Sequence, residues 1–115
     1  MSTSEVANRL VNLCREGKFD AAAEELYDTN IVSIEADGPN REVQGMDAIR
    51  GKMAWWNSTF EFVSAQVEGP WINDPCFIVK FIIDVRNRES GEATHMEEFA
   101  VYTVANGKIV HERFF

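Results

Sequence analysis

From Cys76 to Asn87, apolar side chains fall on every second position. Phe77, Val79, Phe81, Ile83 and Val85 alternate with Ile78, Lys80, Ile82, Asp84 and Arg86. A period of two predicts a strand whose wholly apolar face is buried. The first half of the chain has another period. Val6, Leu10, Leu13 and Cys14 form a helical stripe over residues 3 to 16, with Ser4 as a candidate N-cap and Gly17 as the stop. Phe19, Ala22, Ala23 and Leu26 predict a second, short helix over residues 19 to 27. Residues 31 to 36 read as a short strand, and Asp37-Gly38-Pro39-Asn40 as a turn cluster. Met46, Ile49, Met53, Trp56 and Phe60 recur at three- and four-residue steps, which predicts the longest helix over 46 to 60. Residues 61 to 68 read as a strand with Val63, Ala65 and Val67 on one face. Gly69-Pro70 interrupts it, and Asn73-Asp74-Pro75 makes the next turn.

The last nineteen residues, Glu97 to Phe115, read as a hairpin. Asn106-Gly107 suits a type I′ turn, in which both central residues need φ > 0. Uninterrupted pairing sets Val104 opposite Ile109, Thr103 opposite Val110 and Val101 opposite Glu112. One face then carries Glu97, Phe99, Val101, Thr103, Val110, Glu112 and Phe114. The other carries Glu98, Ala100, Tyr102, Val104, Ile109, His111, Arg113 and Phe115. The first face is expected to meet the helices. Its two carboxylates are costly among apolar groups unless paired, hydrated or protonated, which makes this face a candidate pocket wall.

Helices first and strands after predict an α+β domain: three N-terminal helices packed on one face of a curved antiparallel sheet. The 115 residues fit one domain, taken as 1–115, and 45% hydrophobic residues suffice for a core. A net charge of −8 argues against nucleic acid or an anionic membrane as partner. The opening Met1-Ser2-Thr3-Ser4-Glu5 has neither a basic region nor an apolar run, so a cytoplasmic location is the expectation. Cys14 and Cys76 lack metal-ligand spacing and read as free thiols. On the outer sheet face, Ile78, Ile82, Tyr102, Val104 and Ile109 would stand among Lys80, Arg86 and Arg113. Such a surface predicts a homodimer through that face.

His95, Glu97 and Glu112 are the candidate catalytic residues. Alternation places His95 and Glu97 on the face of Phe99, and the hairpin brings Glu112 across to Val101. A histidine near carboxylates suits proton transfer near neutral pH. Tyr27, Met53, Trp56, Phe99, Val101 and Phe114 are the candidate substrate contacts around them. The competing reading leaves His95 and Glu97 in water and pairs Glu112 with a helix cation such as Arg50 or Lys52. The triad could in principle bind a metal, but no tight ligand motif is present, so neither metal nor cofactor is assigned. Trp71 is expected at the pocket mouth or the dimer edge.

Several segments together resemble a known superfamily. They are Glu16-Gly17-Lys18-Phe19-Asp20-Ala21, Leu26-Tyr27-Asp28 leading into Ile31-Val32-Ser33-Ile34-Glu35, Gly45-Met46-Asp47-Ala48-Ile49, and Val101 through Val110. The chain resembles the nuclear transport factor 2-like superfamily, in particular its SnoaL-like polyketide cyclase and ketosteroid isomerase group. The resemblance implies a cone whose curved sheet wraps the helices around a pocket, and members that dimerise through the outer sheet face. It does not carry steroid isomerase chemistry. That mechanism needs an Asp base and an oxyanion hole of Tyr and protonated Asp. Those positions fall on Ala36, Leu10 and Phe99 of this chain. A one-residue shift could put Asp37 in the base position, but nothing restores the other two. Three function classes stay open: a binding module for a small apolar or amphipathic molecule, a cofactor-independent lyase, isomerase or cyclase, and a structural dimerisation domain with a filled core.

Overall fold

Ser2, not Ser4, caps the first helix. Its hydroxyl accepts from the Glu5 amide while the Glu5 carboxylate accepts from the Ser2 amide, a reciprocal capping box. The computed structural model describes residues 1–39 and 41–115. Its elements are α1 (Thr3–Arg15), α2 (Phe19–Leu26), β1 (Tyr27–Ile34), β2 (Glu42–Gln44), α3 (Met46–Thr59), β3 (Phe60–Asn73), β4 (Cys76–Asn87), β5 (Ala93–Ala105) and β6 (Lys108–Phe114). Of the turn expected at Asp37 to Asn40, the last position lies outside the described residues.

The α+β class read from the sequence is the class observed. Three helices pack on a curved six-stranded sheet in the order β2-β1-β6-β5-β4-β3. One pairing departs from the antiparallel expectation: β1 runs parallel to β6. Parallel neighbours need a long crossover, and here everything from β2 to β5 supplies it. β2 has only three residues, too few to show a periodic signal. β3 does not stop at Gly69-Pro70. It continues to Asn73 through a register shift between Glu68 and Trp71. A second shift, between Phe62 and Ser64, leaves Val63 exposed, off the face it was expected to share with the buried Val67.

The core lies between α1, α2 and the concave sheet face. Val6, Leu10 and Val11 of α1 share one buried cluster with Ile31, Phe77, Val79, Ala100 and Ile109, all essentially inaccessible to water. Side chains of this size each contribute about 1.5–3 kcal/mol when fully buried. Phe77 and Tyr102 stack across β4 and β5 at 4.8 Å.

That stack reveals the main correction. Phe77 pairs with Tyr102, Val79 with Ala100 and Phe81 with Glu98, so the even-numbered side chains of β5 face inward with the apolar set of β4. Tyr102, Val104 and Ile109 are buried core, not outer surface. Glu97, Phe99, Val101 and Thr103 face outward. The turn itself is as expected, with Asn106 and Gly107 at φ 52° and 75°. Beyond it, the register shifts by one residue. Val104 pairs with Ile109, but Thr103 pairs with His111 and Tyr102 with Glu112. Val110 is the extra residue of a bulge, and everything after it changes face. Glu112 is therefore opposite Tyr102, not Val101. The reversed facing of β5 and the bulge in β6 offset each other for Glu112 and Phe114, which remain on the concave side.

Candidate functional site

Glu112 is the polar centre of the concave face. β6 places it in the middle of the sheet, where it is only 2% exposed. Its carboxylate accepts hydrogen bonds from the hydroxyls of Tyr27 and Ser33, the latter at 2.7 Å. Tyr27 opens β1, and Ser33 sits directly opposite Glu112 in the parallel pairing. Lys52 reaches in from α3. Its ammonium donates to Ser33 Oγ at 2.8 Å and Glu35 Oε1 at 2.6 Å, and stands 3.8 Å from Glu112 Oε1. Burial raises the Glu112 pKa, while Lys52, Tyr27 and Ser33 oppose that rise. Burial, reinforced by the Glu112 charge, also pushes the Tyr27 and Tyr102 phenols up. The Cys14 thiol is pushed up to about 12, mainly by burial, so it is no nucleophile at neutral pH.

A second acid lies on the same wall. Glu98 of β5 is half-buried, and burial first, then Glu35 and Glu112, lift its pKa to about 7 against the opposing pull of Lys52. It borders an open recess of about 720 Å³ between the helices and the sheet. Glu35, Lys52, Glu98 and Glu112 form its polar end. Phe19, Met53, Trp56, Phe81, Met96 and Phe114 supply much of its apolar wall. Phe19 stacks on Phe62 at 5.5 Å, and Lys52 stands over the Phe114 ring at 5.4 Å. The recess presents acidic groups at one end and aromatic and thioether side chains along much of its wall.

The sequence-derived residues separate into two groups. Glu112, Tyr27, Met53, Trp56 and Phe114 all border the recess. His95, Glu97, Phe99 and Val101 do not, because β5 turns odd-numbered residues to the convex side. His95 is exposed between Asp84, at 2.8 Å from Nδ1, and Glu97, at 3.0 Å from Nε2. Glu97 also meets Lys80 at 3.4 Å. The expected triad is thus divided by the thickness of the sheet. Arg50, the alternative partner for Glu112, instead binds Glu24 and Asp47 on the surface. Phe99 and Val101 share a convex surface recess with Trp71, Ile78, Lys80 and Glu68. Lys52, the other helix cation considered for Glu112, is the one that stands beside it, at 3.8 Å, while His95 and Glu97 lie in water as that competing reading had them. Sequence reasoning missed Glu98, Ser33 and Glu35. The signal for Glu98 was present, since the facing fixed by β4 selects it once Phe81 is taken as inward.

Among the described residues, no cluster of three or more metal-ligating side chains is present. No helix in the described residues is long and apolar enough to cross a membrane.

A cone of helices on a curved sheet, open at one end to a recess, is the architecture of nuclear transport factor 2-like proteins. The chain belongs to the SnoaL-like domain family, whose model matches residues 1–115. It is similar over its full length to a candidate SnoaL-like polyketide cyclase (carbohydrate phosphatase) from Mesorhizobium loti. The two share 38% identity and a TM-score of 0.94, with 100% of this chain and 99% of that one covered. An NTF2-like protein from Burkholderia thailandensis has the same fold at 18% identity, TM-score 0.82, covering 100% and 91% of the two chains. So does a protein from Bacillus subtilis named as a candidate isomerase, at 19% identity, TM-score 0.77, covering 97% and 84%. None of the curated proteins matches the chain.

Proposed function

We propose that the chain binds a small, mostly apolar molecule in the concave recess, with the polar end of the ligand held by the Glu98, Glu35 and Lys52 group. The observation that carries this reading is the recess itself. About 720 Å³ lies open beside the buried Glu112 and half-buried Glu98, in the size range of small-molecule sites. A structural domain with a filled core would close this space with Trp55, Trp56 and Phe99, yet Trp55 is largely exposed, Trp56 only borders the open recess and Phe99 is on the other face. Ligand-detected magnetic resonance against a panel of two- and three-ring compounds tests the reading. Compounds with one polar group should bind, and resonances of Met53 and Met96 should shift. A panel without a single binder would contradict it.

A second reading, an enzyme of the lyase, isomerase or cyclase type, draws on one feature. Glu98 borders the recess with a pKa lifted to about 7, where a carboxyl can both give and take a proton. Proton transfer then falls to Glu98, with Glu112 behind it, and not to His95 or Glu97. Deuterium uptake at the carbon next to a bound ketone, lost in Glu98→Gln, is the expected signature.

We propose self-association through the convex face as well. Trp71 and Phe99 are 52% and 44% exposed there, beside Ile78 and Val101. Monomers seldom leave such aromatic clusters in water.

A further inference from the structure

We propose that the recess selects apolar molecules that carry a protonated amine, with the ammonium seated against Glu98 and the hydrocarbon against the aromatic wall. This rests on the reading of the recess as a ligand site and adds the charge of the ligand.

Most of the charged groups around the recess are already engaged with one another. Five carboxylic acids and three basic side chains line the recess. All three cations have partners. Arg15 donates to the carbonyls of Val67 and Gly69 at 3.1 and 3.4 Å. Lys18 pairs with Glu16 at 3.0 Å. Lys52 is held by Ser33 and Glu35, with Glu112 beyond. Of the remaining acids, Asp20 accepts from Asn57 at 3.0 Å, and Glu112 is satisfied by Tyr27 and Ser33. Among the described residues, no hydrogen bond or ion pair engages the Glu98 carboxyl. Among the described residues, the Glu98 carboxyl is therefore an acceptor left unengaged in the wall, with a negative surplus around it. An anionic ligand would meet Glu98, Glu35 and Glu112 with no free cation in return. An ammonium would supply the missing partner, and a charge-assisted bond of this kind is stronger than a neutral one. The apolar wall is suited to the same ligand. Its rings attract cations, and Phe114 already has the Lys52 ammonium over its face at 5.4 Å.

The charged groups that act on Glu98 are Glu35 from the end of β1, Glu112 from β6 and Lys52 from α3. Their combined effect with burial leaves Glu98 titrating near pH 7. An ammonium needs the ionised form. A neutral carbonyl compound would need the protonated form as donor. The two ligand classes therefore respond to pH with opposite signs.

Calorimetry with three matched probes tests this: 2-naphthylmethylamine, 2-naphthylmethanol and 2-naphthoate. At about pH 8 the amine should bind about tenfold more tightly than the alcohol, with the naphthoate weakest. The preference should shrink as pH falls through about 7, where Glu98 takes up its proton. Glu98→Gln should abolish it while the alcohol still binds. The pH series on the unaltered chain carries the test even if that variant fails to fold. An alcohol that binds as tightly as the amine, or amine binding that strengthens as pH falls, overturns the proposal while leaving the ligand site in place. If none of the probes binds at any pH, the ligand-site reading fails, and this inference fails with it.

Discussion

The hydroxyl of Tyr27 donates to the carboxylate of Glu112 across the parallel pairing of β1 and β6. The two residues are 85 positions apart. Tyr27 leaves α2, Glu112 lies three residues from the end of the chain, and their bond ties the helical half to the final hairpin. The bond is buried, so its loss cannot be made good by water.

Replacing Glu112 by leucine leaves Tyr27, Ser33 and Lys52 without their shared acceptor. We expect a cost of about 3–5 kcal/mol, as for other broken buried charge clusters. Glu112→Gln keeps one acceptor oxygen and should cost less, about 1–3 kcal/mol. Denaturant unfolding at neutral pH ranks the two variants. Equal stability of both with the parent would mean that the cluster does not hold the fold.

Glu98 carries the opposite sign. Its folded pKa, about 7, is raised above the ordinary carboxyl value, so the folded state binds the extra proton between about pH 4.5 and 7. Stability should therefore fall as pH rises across that window and level off above it. Glu98→Gln should remove this slope and stabilise the fold above pH 7 by about 1–3 kcal/mol, with the lower end favoured by its partial exposure. Thermal melts from about pH 4 to 9 test this. An unchanged slope in the variant would place the titration elsewhere.

On the convex face, Phe99→Glu should dissociate a dimer without harming the fold, because Phe99 packs against Lys80 on the surface and not into the core. Tyr102, which the hairpin pattern alone assigned to this face, would be a poor test. It is buried against Phe77, and a charge there would unfold the chain. Sedimentation of parent and variant at micromolar concentration decides the matter. A parent that sediments as a monomer contradicts the proposed self-association.

His95 should prove irrelevant to the recess. Glu97 and then Asp84 raise its pKa, and His95 in turn lowers theirs. Any stability it contributes is present below its unfolded pKa, about 6.5, and lost as pH rises through the folded value. A histidine titration by magnetic resonance should show a midpoint above the ordinary one. His95→Ala should leave ligand binding in the recess unchanged. A loss of binding would mean that the two faces of the sheet communicate.

The fold was largely legible because its signals are local. The alternation in Cys76 to Asn87, the helical stripes and the Asn-Gly turn each need only a few neighbouring residues, and each element stands where its pattern predicts. The site was legible only in part. Facing in β5 depends on pairing with β4 across a turn, and the residues of β5 are apolar on both sides, so alternation alone did not choose between Phe99 and Tyr102. The Val110 bulge leaves no mark in the sequence, since Ile109-Val110 reads as ordinary strand. The polar set around Glu112 comes from β1, α3, β5 and β6, and no local pattern joins Ser33, Lys52 and Glu98.

Filling the recess should abolish ligand binding. Ala65 lies on its β3 wall, partly buried at the edge of the core, where a larger side chain projects into the open space of the recess. Calorimetric titration of the parent and Ala65→Trp with 2-naphthylmethylamine at about pH 8, where Glu98 is ionised, should show saturable binding to the parent only. The variant should retain the parent's circular dichroism. Equal binding by the two folded proteins, or none by either, would contradict the account.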